Sequence, residues 1–135
     1  MKQDISFQFE TIELLEFSMM TPNKEVESKT QYKLDINIEH RFNIEYNRIF
    51  VIVSIDIIDE NDDAGLSSFK ISCIYKIKNL REFIDDNRVS LPEEMITTLN
   101  SISLSTCRGI LFSSLKGTFL HNVILPIIDP LSLNQ

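Results

Sequence analysis

A chain of 135 residues, 43% of them hydrophobic, is long enough for one domain with a true core, and three glycines and four prolines leave little linker. Its net charge of −7 argues against nucleic acid, whose phosphates demand a basic surface, and equally against an anionic membrane. A partner with a basic face, or no charged partner, fits that balance, and no segment repeats.

The N-terminus, Met1 to Phe9, alternates polar and apolar residues and has no continuous signal core. The longest dense apolar run, Ile49 to Val53, is too short to span a bilayer. A soluble, cytoplasmic protein is expected. The first 78 residues follow the period of two that marks strands. Ile5, Phe7 and Phe9 share a face, and the phase slips near Thr11. Ile12 and Leu14 then hold one register while Leu15, Phe17 and Met19 hold the other, which predicts a bulge or break. The polar stretch Thr21 to Ser28 reads as a loop turning at Pro22-Asn23.

Tyr32, Leu34, Ile36, Ile38, Phe42, Ile44 and Tyr46 form a second series, with His40 in its one polar slot. Asn47-Arg48 offers a tight connection to Ile49, Val51, Val53, Ile55 and Ile57. Phe50 and Ile52 make the start of this third strand apolar on both faces. One face under a helix and the other partly under a second subunit would suit it. The charged loop Asp59 to Gly65 leads to a fourth strand with Phe69, Ile71, Cys73, Tyr75 and Ile77 in phase.

Beyond Asn79 the period changes. Leu80 to Ile84 fits one helical turn or a loop. Ser90 and Glu93 have capping-box spacing with Pro92 in the first turn, and Met95, Leu99, Ile102, Thr106 and Ile110 follow at helical intervals. Gly117 is placed to end this helix in a left-handed conformation. About 25 residues would span nearly 40 Å at about 1.5 Å each. That exceeds what four short strands cover, so contact with another subunit is expected.

No catalytic arrangement emerges. Asp59, Asn61 and Asp63 hold the first, third and fifth places of a calcium loop. The sixth, however, is Ala64 where glycine is needed, and the twelfth is Lys70 where a bidentate glutamate belongs. A solvated hairpin loop, or an acidic patch for a basic protein partner, is the better account. His40 and His121 have no second ligand at zinc spacing, and the three glycines make no phosphate loop. Cys73 and Cys107 form no CxxC pair and read as reduced, buried thiols. No metal, cofactor or enzymatic activity is expected.

The last third carries the most specific signal. Arg108 lies within the helix, Gly117-Thr118-Phe119 ends it, and Val123-Ile124-Leu125-Pro126 and Leu131 follow. This succession resembles the SecB family of export chaperones, by residue over about positions 99 to 131 and by element order over the whole chain. The resemblance implies an α+β fold, a four-stranded antiparallel sheet with one long C-terminal helix packed on it, as a single domain over 1–135. It also implies a homodimer or homotetramer with the helices of paired subunits between two sheets.

The function so implied is ATP-independent holding of unfolded or unassembled polypeptide. The client would be an export substrate or a dedicated one such as an antitoxin. The alternative is a structural adaptor that binds one folded partner. A client groove between helix, following segment and sheet would use Phe112, Phe119, Leu120 and Ile124, with Tyr75 from the fourth strand. Arg108, Gly117, Thr118 and Pro126 would be structural, with Arg108 seeking a carboxylate or a carbonyl. Two departures stand out: Leu120 occupies the usual place of a proline, and no aromatic-proline-aromatic run precedes Arg108. The sequence ends at Gln135 without the further helix and polar tail that engage the export motor, which puts direct service to that motor in doubt.

Overall fold

The computed structural model describes residues 6–20, 31–61 and 63–128. Four long strands form one antiparallel sheet: β1 (Phe7–Met19), β2 (Tyr32–Asn43), β3 (Arg48–Asp59) and β4 (Gly65–Ile77). Their spatial order is β1-β4-β3-β2, so β1 and β2 are the open edges. The single long helix, α1 (Glu93–Leu115), follows. The α+β architecture expected from the sequence is therefore present.

The phase slip in β1 is real and has two parts. Pairing with β4 shifts between Phe9 and Thr11 and again between Leu14 and Glu16, leaving Glu10 and Leu15 as the extra residues. Glu10 uses its release from the ladder to reach across β4. It accepts a bidentate pair from Arg48 of β3, Nε to Oε2 at 2.8 Å and Nη2 to Oε1 at 2.6 Å. The Pro22-Asn23 turn lies outside the described residues.

The β2–β3 hairpin closes sooner than the periodicity predicts. Asn43 pairs with Arg48, and Ile44 to Asn47 form the turn rather than more strand. Asn47 takes the left-handed conformation (φ 56°), which asparagine tolerates better than most residues. Tyr46 thereby leaves the sheet, with the Arg48 guanidinium 5.8 Å from its ring centre. In the β3–β4 loop, Asp59 Oδ1 accepts from Asn61 N at 2.9 Å, a local turn made by the aspartate itself.

Leu80–Phe83 form a 3-10 turn, followed by a miniature hairpin of β5 (Ile84–Asp85) and β6 (Arg88–Val89). Asp86 and Asn87 both have positive φ, as a two-residue hairpin turn requires. This hairpin also corrects the capping box. Ser90 N donates to Phe83 O at 2.7 Å, which holds Ser90 in the hairpin, and the helix starts after Pro92 with no side-chain cap. Glu93 and Glu94 in its first turn complement the helix dipole instead. Its 23 residues span about 35 Å.

The core lies between α1 and one sheet face. Ile49, Val51, Val53, Ile55 and Ile57 of β3 are fully buried, with Phe69, Ile71, Cys73, Tyr75 and Ile77 of β4 beside them. From α1 come Met95, Leu99, Leu104, Cys107, Leu111 and Leu115. Each such aliphatic side chain contributes about 1.5–3 kcal/mol on burial. Two polar ties fix helix against sheet: Tyr75 Oη to Ser103 Oγ at 2.7 Å, and His40 Nε2 to Asn100 Oδ1 at 2.7 Å. The polar slot at His40 is thus the partner of a buried asparagine.

Candidate functional site at the end of the helix

The end of α1 is shaped by three consecutive residues. Lys116 leaves the helical conformation, and Gly117 then takes φ +82°. A Cβ on Gly117 would meet nothing within 4 Å, so the backbone angle rather than crowding calls for glycine. Thr118 completes the stop. Its Oγ1 donates to Leu115 O at 2.7 Å and accepts from Leu120 N at 3.1 Å. The Thr118 carbonyl accepts from His121 N at 3.1 Å and from His121 Nδ1 at 2.8 Å, which assigns the proton to Nδ1.

The chain then runs back along the helix, extended and alternating. Leu120, Val123 and Leu125 turn into the core, while Ile124 and Ile127 face solvent at 58% and 93% exposure. Arg108 holds this returning segment. Its Nε donates to Leu125 O at 2.8 Å and its Nη2 to Pro126 O at 3.0 Å. Arg108 and Pro126 are thus brought together, and the arginine binds backbone carbonyls.

Between helix end and turn lies an open cleft of about 550 Å³, lined by Phe112, Lys116, Gly117, Thr118 and His121. Phe112 is 57% exposed there. Of the five expected groove residues, the structure exposes Phe112 and Ile124 and leaves Phe119 half-buried against the core. Leu120 and Tyr75 need correction. Both are 0% exposed: Leu120 is the side chain the turn drives inward, and Tyr75 is sealed beneath α1 and the rings of Phe7 and Phe9. They support the site from within the core of this chain.

Sequence reading missed two features. Across β4 from the core, Phe7, Ile12, Leu14 and Phe17 of β1 lie on the helix-facing side yet remain exposed, because α1 does not reach that edge. Phe17 stacks on Phe69 with ring centres 4.5 Å apart. On the other sheet face, the bulge places Leu15 beside Phe50, Ile52, Glu13 and Arg41 in a shallow groove of about 530 Å³. The phase slip was the available signal for both.

Cys73 and Cys107 are free, buried and within hydrogen-bonding contact across the helix–sheet interface. The bond between them and burial push the Cys107 thiol far up. Burial likewise pushes the Tyr75 phenol up. Among the described residues no cluster of three or more His, Cys, Asp or Glu is placed to hold a metal, and no helix is long and apolar enough to cross a membrane.

No protein-family model and no curated protein matches the chain. Solved structures do. A SecB-like chaperone of Mycobacterium tuberculosis, in complex with a ChAD peptide from the HigA1 antitoxin, superposes with a TM-score of 0.68 at 17% identity, over 90% of this chain and 89% of that one. A protein of unknown function from Streptococcus agalactiae aligns at a TM-score of 0.47 and 10% identity, over 93% of this chain and 98% of that one. The chain has a divergent SecB-like fold.

Proposed function

We propose that this protein is a non-enzymatic, ATP-independent chaperone that holds an unfolded or unassembled polypeptide against the end of α1 and the segment that returns along it. The observation that carries this reading is the run of exposed apolar side chains there, Phe112, Ile124 and Ile127, fixed in place by the Arg108 clamp and the Gly117 turn. Large apolar groups gathered in one exposed place mark an interaction site. The SecB-like fold supports the same reading, since the mycobacterial protein of that fold was solved with an antitoxin peptide. A dedicated client of that kind is the favoured one, ahead of an export substrate.

A client covering about 400 Å² of apolar surface would gain about 10 kcal/mol before ordering costs, enough for useful affinity from a few side chains. The working unit is a homodimer or homotetramer, with Phe7, Ile12, Leu14 and Phe17 on the open edge of β1 as the assembly surface. The acidic hairpin of Asp59, Glu60 and Asp63 is left for a basic protein partner. The protein acts in the cytoplasm.

Light scattering tests this directly: a chemically denatured, unrelated protein is diluted into buffer with and without this one, in the absence of ATP. Suppression near one oligomer per client is expected. A second reading, an adaptor for one folded partner, is favoured by the broad apolar edge of β1. It predicts no suppression from a well-folded oligomer and a single saturable partner.

A further inference from the structure

The charge of this chain is distributed unevenly. Of its 20 acidic residues none falls between positions 95 and 128, where the ionisable side chains are Arg108, Lys116 and His121, besides Cys107. The whole helix beyond its first turn, and the segment returning along it, is therefore neutral to basic in a chain of net charge −7. The cleft sits in that region, with Lys116 and His121 in its wall and no carboxylate.

These side chains are not all engaged in structure. Arg108 is committed to the Leu125 and Pro126 carbonyls. His121 is tied by Nδ1 to the Thr118 carbonyl, which leaves Nε2 open. Lys116 makes no ion pair among the described residues, and it stands one turn from exposed Phe112. An apolar face and a spare ammonium thus share one wall, with no carboxylate among the residues that line it.

Resting on the chaperone reading above, we infer that the segment taken in this cleft carries a carboxylate next to its apolar side chain, so that Phe112 takes the apolar group and Lys116 the acid. The general acidity of the protein does not forbid this. At about 0.1 M salt the Debye length is about 10 Å, so an incoming segment senses mainly the charges lining the cleft. The helix C-terminus is partially negative and works against an acid here, but its last carbonyl, Leu115 O, is taken up by Thr118 N at 3.0 Å and Thr118 Oγ1 at 2.7 Å, and the full charge of Lys116 exceeds that partial one.

The test uses three fluorescent peptides with one apolar core, flanked by Glu, Gln or Lys, titrated by anisotropy against the full chain. An exposed ion pair changes affinity by between about 1.5- and 5-fold. The expected order is Glu tightest and Lys weakest, with Lys116→Gln removing most of the difference and Lys116→Glu reversing it. The preference should also shrink at about 1 M salt, where screening acts within about 3 Å. Lys116 is exposed, so these variants keep the fold. Equal binding of all three, or preference for Lys, with binding still abolished by Phe112→Ser overturns the charge inference and leaves the chaperone reading standing. No binding by any peptide, together with a change of oligomer mass in Phe112→Ser, assigns the cleft to a second copy of the chain and overturns both.

Discussion

The Arg108 guanidinium donates to the Leu125 carbonyl at 2.8 Å across 17 residues, and from its other arm to Pro126 at 3.0 Å. One side chain in the helix therefore sets where the returning segment lies, and with it where Ile124 and Ile127 point. Arg108→Met keeps the apolar stem but loses two charge-assisted bonds, each worth about 1.5–3 kcal/mol when formed to a neutral group. Part of that is recovered from water at this half-buried site. A loss of about 1–3 kcal/mol in urea unfolding is expected, with client binding reduced beyond what the loss of folded protein explains. Arg108→Lys should restore little, since an ammonium cannot reach both carbonyls as a fork.

Gly117→Ala should destabilise by about 1–2 kcal/mol, the cost of a left-handed conformation for a residue with a Cβ. Space is not the obstacle, because nothing lies within 4 Å of that Cβ. Gly117→Asn should cost less, since asparagine tolerates this region better. Thermal unfolding midpoints would rank Gly above Asn above Ala. A larger loss for Asn than for Ala would mean that side-chain size governs the turn after all.

Much of this molecule was legible from periodicity, from the slip at Thr11 and from Gly117. The period of two placed all four long strands, because their apolar side chains alternate toward the helix-facing side even where, as in β1, that side stays exposed. The slip at Thr11 announced the bulge at Glu10, and Gly117 announced the helix end. Burial at Leu120 and Tyr75 was not legible. Both sit in apolar stretches whose inward or outward aim depends on a turn and on a helix crossing overhead. Ser90 misled for a similar reason: its spacing to Glu93 fits a cap, yet a hydrogen bond to Phe83 takes it into another element. The exposed side of β1 needed to be seen against the reach of α1, which no local pattern encodes.

Stability should fall in alkali through Tyr75. Burial raises its phenol above the ordinary value near 10, while the unfolded chain titrates normally. Its contribution is thus fully present below about pH 10 and is lost as pH rises, because only the unfolded state gives up the proton readily. Each unit above about 10 removes about 1.4 kcal/mol. Tyr75→Phe should flatten part of the decline between pH 10 and 12 in urea-unfolding curves. It also forfeits the bond to Ser103, so the variant starts about 1 kcal/mol lower at neutral pH.

Paired substitution of Ile12 and Leu14 by Lys tests the open edge of β1. Both side chains are exposed in the single chain, so the subunit should fold with little change in its urea midpoint. If this edge joins subunits, two buried ammonium groups per interface would not be tolerated, and the mass by light scattering should fall to that of one chain. An oligomer of unchanged mass would remove β1 from the assembly surface.

Phe112 and Leu120 provide the sharpest contrast between site and scaffold. They lie eight residues apart around one turn, at 57% and 0% exposure. Phe112→Ser removes a ring that largely faces water, so the unfolding midpoint should move by less than about 0.5 kcal/mol while suppression of client aggregation drops severalfold. Leu120→Ala opens a cavity in the core and should cost about 2–5 kcal/mol. Its effect on aggregation suppression should then follow the fraction of protein still folded. Phe119, half-buried against that core, is expected to lose both together and separates nothing on its own. Should Phe112→Ser leave suppression intact in a protein that is still folded, the client does not lie at the end of α1, and the uncovered side of β1 becomes the place to look.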